Sequence, residues 1–172
     1  MKTLLFKLCF FLLPAAVFAQ TPDLISAART GDVATIQQLI AQKADVNTTD
    51  AKGYTPLIIA VYNGQQEAAV LLIKAGANVN HQDATGNTAL MGTAFKGYAA
   101  MAQLLLENGA NPNLQNANGG TALMFAAMFG RNDVLELLVK KGADKQLKDK
   151  RGFTALTLAQ QQGNPTAEGL LQ

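Results

Sequence analysis

The stretch Asp50–Gln82, DAKGYTPLIIAVYNGQQEAAVLLIKAGANVNHQ, sets the outline that most of the chain follows. It opens on a turn around Gly53, enters a short apolar segment through Thr55-Pro56-Leu57, and breaks at Gly64. A second apolar segment then runs to Leu71-Leu72-Ile73, Gly76 closes it, and an Asn-rich exit follows. The outline returns every 33 residues. Gly53, Gly86, Gly119 and Gly152 share one register, Thr55, Thr88, Thr121 and Thr154 another, and Leu57, Leu90, Leu123 and Leu156 a third. A second glycine series, Gly31, Gly64, Gly97, Gly130 and Gly163, keeps the same spacing. Self-similarity at this period predicts stacked supersecondary units, each burying its apolar face only against its neighbours.

The recurring residues have separate physical roles. Thr55 suits an N-cap, with Pro56 at the first helical position, where a missing N–H costs nothing. Alanine takes the proline's place in later units, keeping helix propensity. Leu71-Leu72-Ile73, Leu104-Leu105-Leu106 and Leu137-Leu138-Val139 supply the core between layers. Gly76, Gly109 and Gly142 fit a left-handed helix terminus; the first unit has Lys43 there, so Lys43→Gly is expected to stabilise if that backbone is left-handed.

The pattern DxxGxTPLxxAxxxG…LLxxGAxxN resembles the ankyrin repeat and covers nearly everything after residue 20. The resemblance implies an all-α solenoid of helix-turn-helix units with β-hairpin-like turns. About five units follow: a divergent one at about 21–49, three full ones at 50–82, 83–115 and 116–148, and a truncated one at 149–172. The histidine usual after Thr-Pro-Leu is missing, with Ile58, Met91, Met124 and Thr157 in its place. The link it normally makes between repeats should therefore be absent, with apolar packing substituting. Gly92, inside a helical stretch, costs about 1 kcal/mol against alanine and marks the third unit as the softest.

Residues 1–19, MKTLLFKLCFFLLPAAVFA, stand outside the array. A lysine-bearing start, a short apolar centre and small residues before a cut describe a secretory signal peptide, with cleavage after Ala19. The uncharged run from Leu8 to Ala19 is shorter than the about 20 residues a membrane span needs. Phe6-Lys7-Leu8 before Cys9 does not form a lipobox. Of 14 basic and 12 acidic residues the leader takes Lys2 and Lys7, which leaves 12 against 12. It also takes Cys9, the single cysteine, so the mature chain needs no oxidative folding. These features point to the periplasm of a bacterial envelope, with release to the exterior as the alternative, and to no membrane insertion after cleavage.

Catalysis is poorly supplied. After the leader there is one serine, Ser26, one histidine, His81, and no cysteine. A Ser-His-acid arrangement would need Ser26, in the first helix of the opening unit, to meet His81 in a turn. One histidine does not make a zinc site either. No catalytic residue, metal or cofactor is expected. The run KKGADKQLKDKRG at 140–152 is the strongest charge feature. In a secreted protein it reads as solvated helix ends and turns rather than a nucleic-acid face, with steering of an anionic partner as its functional alternative.

Ankyrin-like arrays imply protein binding through finger turns and first helices on a concave side. By register the fingers carry Lys52 and Tyr54, Thr85 and Asn87, Asn118 and Gly120, and Arg151 and Phe153. The ends of the first helices carry Tyr62-Asn63, Phe95-Lys96, Met128-Phe129 and Gln161-Gln162. Tyr62, Phe95 and Met128 lie one repeat apart and should form an exposed ladder with Phe129 beside it. Aromatic, methionine and arginine side chains are enriched at interface centres. Lys52, Tyr54, Tyr62, Phe95, Lys96, Met128, Phe129, Arg151 and Phe153 are thus the candidate partner-binding residues. The expectation is a non-catalytic module, monomeric alone, that binds an envelope enzyme as an inhibitor or immunity-type protein. A scaffold or stabiliser, for example of a periplasmic oxidoreductase, is the alternative.

Overall fold

A computed structural model describes residues 23–172; the leader and its cleavage site lie outside the described residues. Among the described residues ten helices form five antiparallel pairs: α1 (Leu24–Thr30) with α2 (Val33–Ala41), α3 (Pro56–Tyr62) with α4 (Gln66–Lys74), and α5 (Ala89–Lys96) with α6 (Ala99–Glu107). The pairs α7 (Ala122–Met128) with α8 (Asn132–Lys140) and α9 (Ala155–Gln161) with α10 (Pro165–Leu171) complete the stack. The last unit, read as truncated, carries both of its helices. No strand forms among the described residues.

Each first helix starts where its threonine dictates. The hydroxyls of Thr55, Thr88, Thr121 and Thr154 accept from the backbone N–H groups of Ile58, Met91, Met124 and Thr157. Thr55, Thr88 and Thr121 are buried, so each cap also satisfies a polar group inside the core. In the opening unit Asp23 and Asp32 cap α1 and α2 instead, accepting from Ser26 N and Thr35 N.

The helices sort into two layers. First helices α1, α3, α5, α7 and α9 pack in sequence along the stack, and the second helices lie behind them, more loosely associated. Small residues allow the close spacing of the first layer: Ala28, Ala60, Ala94, Ala126 and Ala159 are fully buried. The leucines Leu72, Leu105 and Leu138 seal the second layer with no exposed surface. A layer packed more tightly on one side bends the stack toward that side, so the first helices and the turns beside them form its inner surface.

The missing repeat histidine is replaced differently from expectation. Met91 and Met124 are indeed buried where it would stand, and Ile58 packs against the core. The link between repeats, however, is polar and sits elsewhere. Asn47 accepts from Asn78 N at 2.8 Å, and Asn80 donates to Gly109 O at 2.9 Å while accepting from Asn111 N at 2.7 Å. Asn113 accepts from Asp144 N at 2.8 Å, and Gln82 and Gln115 donate to Gln115 O and Lys148 O, both at 3.0 Å. His81, expected at a surface turn position, is half-buried with Nε2 3.0 Å from Gly53 O, which closes the two ends of one unit on each other rather than joining two units. An amide side chain can donate and accept at once, which lets one residue tie two repeats.

Candidate concave interface

The fingers are built by one acidic or amide side chain each. Asp50 Oδ1 accepts from the N–H groups of Lys52 and Tyr54, both at 2.9 Å. Asp83 does the same for Thr85 and Asn87, Asn116 for Asn118 and Gly120, and Asp149 for Arg151 and Phe153. Successive fingers are then joined by one backbone bond each: Ala84 N to Lys52 O, Ala117 N to Thr85 O, and Lys150 N to Asn118 O, at 2.9–3.0 Å. The finger glycines make this approach possible, since a Cβ on Gly86 would stand 2.9 Å from Ala117 N. The hairpin-like turns are thus single-bond ladders.

Finger side chains divide into two kinds. Lys52 and Arg151 are exposed at the tips, whereas Tyr54 and Phe153 are half-buried and packed against the core. Arg151 is already engaged: its guanidinium pairs with Asp149 at 2.8 Å and lies 4.8 Å from the centre of the Phe153 ring. Burial works to raise the Asp149 carboxyl, but donors from Phe153 and Arg151 and the guanidinium charge outweigh it and hold it below its ordinary value. Elsewhere in the basic run, Lys140 pairs with Glu136 and Lys145 donates to Leu170 O, so part of its charge is locally matched.

The aromatic row is present, with one change of membership. Tyr62 and Phe95 stack nearly parallel with ring centres 6.2 Å apart, and Phe129 meets Phe95 edge-on at 4.7 Å. Phe125 continues the row, stacked on Phe129 at 6.2 Å. Tyr62 and Phe129 are the exposed members, at 49% and 37%, while Phe95 between them is half-buried. Met128, expected as the third rung, is half-buried and lines a separate groove with Lys150 and Arg151. Phe129, the C-cap residue of α7, takes its place; α7 ends at Met128 just as α3 ends at Tyr62, so the difference lies in the side chains and not in helix length. Lys96 Nζ sits 4.3 Å from the Tyr62 ring centre, within cation–π range. Arg131 Nε donates to Phe95 O at 3.2 Å, fastening the end of α5 to the next unit.

Between the row and the fingers lies a groove of about 450 Å³. Tyr54, Ile58, Tyr62, Met91 and Phe95 line it, and Arg29 closes one end. Arg29 belongs to the same register as Tyr62 and Phe95, one period earlier. Extending the ladder back by one repeat would have found it; the divergence of the opening unit hid the match.

Ser26 and His81 do not meet: Ser26 Oγ donates to Asp23 Oδ2 at the start of α1, and His81 is held at Gly53. Among the described residues no cluster of His, Cys, Asp or Glu could hold a metal ion. No helix among them is long and apolar enough to cross a membrane.

Comparison with known families agrees with this geometry. The family model for ankyrin repeats (3 copies) matches residues 24–116 and 90–172. The chain belongs to the ankyrin-repeat family. Ankyrin-repeat proteins are generally non-catalytic modules that bind other proteins. A search of curated proteins returns no match for this ankyrin chain.

Proposed function

We propose that this ankyrin-repeat protein is a non-catalytic binding module of the bacterial cell envelope. It acts in the periplasm after loss of residues 1–19, is monomeric alone, and grips an envelope enzyme as its inhibitor or immunity-type protein. The observation that carries the binding reading is the row Tyr62–Phe95–Phe129, three rings in contact across three repeats and open to solvent at two of them. Side chains this large left outside a core that is otherwise closed fit the anchors of an interface. The charged, apolar and small-residue sequence of the leader supports the location.

The test is a crosslinked pull-down from envelope extract with wild type beside a Phe95→Ala/Phe129→Ala variant. One dominant protein captured by wild type and lost by the variant is expected. That partner's activity, assayed at stoichiometric ratio, should fall. A rise in its half-life would make the protein a stabiliser, and identical capture by both forms would refute the concave row. Phe95 is half-buried, so the variant also loses ring contacts worth about 0.5–1.5 kcal/mol per pair. Its melting curve is therefore recorded alongside.

A further inference from the structure

The groove beside the aromatic row has two features that neither the repeat architecture nor the row accounts for. The first is Gly92. Its register companions are Ser26, Ile59, Phe125 and Leu158, and the two that adjoin it in the stack, Ile59 and Phe125, are large, so the inner face has a gap in the third unit. No backbone requirement places glycine there, since Gly92 does not have a positive φ. A Cβ built on it would meet only Val61 Cγ1, at an ordinary 3.8 Å. The helix thus carries a glycine that packing does not demand, and the space it leaves opens into the groove between α3 and α5. That volume lies within the range of pockets that seat a ligand group.

The second feature is the placement of charge. Residues 23–172 hold 12 basic and 12 acidic side chains, yet the first helices α1, α3, α5, α7 and α9 contain Arg29 and Lys96 and no Asp or Glu. The acidic residues of the second layer, Glu67, Glu107, Asp133, Glu136 and Glu168, lie on the other helices. The finger carboxylates are occupied. Asp83, the acid that borders the groove, is buried and accepts from Thr85 and Asn87 through backbone and side chain. Neither salt bridge among the described residues involves Arg29 or Lys96. A chain with balanced charge therefore presents an apolar groove flanked by two cations outside any salt bridge among the described residues, Arg29 feeling the Asp23 carboxylate only across space and Lys96 resting over the Tyr62 ring.

We propose that this groove seats an extended acidic segment of the partner protein, with one large apolar side chain in the space over Gly92 and flanking carboxylates on Arg29 and Lys96. The proposal rests on the concave-face reading above and specifies what that face recognises. The apolar side chain supplies burial, and the carboxylates supply orientation and faster encounter, since complementary charge steers association. Contacts of this exposed kind weaken with salt. A basic or neutral segment would gain the same apolar burial and leave both cations unmatched.

The test is selection of a displayed random-peptide library on the purified protein, followed by fluorescence anisotropy with the enriched peptide as probe. Enriched sequences should share a large apolar residue flanked by Asp or Glu, and affinity should fall as salt rises. Arg29→Gln/Lys96→Gln should weaken the probe at least about tenfold. Gly92→Leu should abolish binding without lowering the melting midpoint, because leucine is the better helix former. No enrichment, enrichment without acidic residues, or wild-type affinity in either variant would overturn the proposal. The charge variant decides alone if Gly92→Leu melts early. In the envelope pull-down, a partner lost by Phe95→Ala/Phe129→Ala but kept by Arg29→Gln/Lys96→Gln sinks this inference alone. A partner kept by the aromatic variant sinks the concave reading itself.

Discussion

Replacing Lys43 with glycine isolates one conformational term in the opening unit. Lys43 has φ 61°, the single positive-φ residue other than glycine among the described residues. It follows the C-cap of α2 and makes the same bonds as its glycine counterpart one repeat on. Lys43 N donates to Ile40 O at 2.9 Å and Ala44 N to Leu39 O at 3.0 Å, as Gly76 N does to Ile73 O and Ala77 N to Leu72 O. The backbone is therefore already that of a glycine terminus, and the side chain is exposed. Left-handed backbone costs an L-residue about 1–2 kcal/mol, while added freedom in the unfolded chain takes back about 0.4–1 kcal/mol. The net gain from Lys43→Gly is about 1 kcal/mol or slightly less, or about 2–4 °C in a domain of this size. Repeat stacks can open unit by unit, so hydrogen exchange of the α2 amides is the sharper assay, with slowing of about fivefold expected. Gly76→Ala is the mirror experiment: no atom lies within 4 Å of the added Cβ, so its loss of about 1 kcal/mol would be purely conformational. An unchanged or lower midpoint for Lys43→Gly, or faster exchange in α2, would refute the reasoning.

Two further perturbations test the stack. Asn80→Ala removes two bonds between repeats, to Gly109 O and from Asn111 N, and should cost about 1–2 kcal/mol in chemical denaturation; a change within error would mean water replaces both. Lowering pH should loosen the opening unit. Backbone and side-chain donors of Ser26 and Thr35 hold the Asp23 and Asp32 carboxyls below their ordinary value. Their caps are therefore fully effective above the unfolded carboxylate range and are lost as pH falls through the depressed folded values. Exchange in α1 and α2 should accelerate there, and Asp23→Asn/Asp32→Asn should flatten that response.

The fold was legible because a solenoid repeats its local instructions. Thr88 or Gly109 can be understood from Thr55 or Gly76, and Lys43 was placed in a left-handed site by counting alone. The links between repeats were not legible. Asn80 reads as loop polarity until Asn111 N and Gly109 O are known to lie beside it, and Gln115 until Lys148 O is seen. The candidate site was half legible for a related reason. Register fixes where a backbone position falls, and Tyr62 and Phe95 stack as that implies. It does not fix how far a ring reaches, so Phe129, at a C-cap rather than inside α7, displaced Met128 from the row. Arg29 was missed because it matches Tyr62 in position and not in type.

The central claim is that the inner face, not the outer one, holds the partner. A photocrosslinking residue placed at Tyr62 in the producing cells, and separately at exposed Gln103 on α6 in the second layer, tests this directly. The account predicts one dominant adduct from Tyr62 and none from Gln103. Adducts of the same partner from Gln103, with Tyr62 silent, would contradict it.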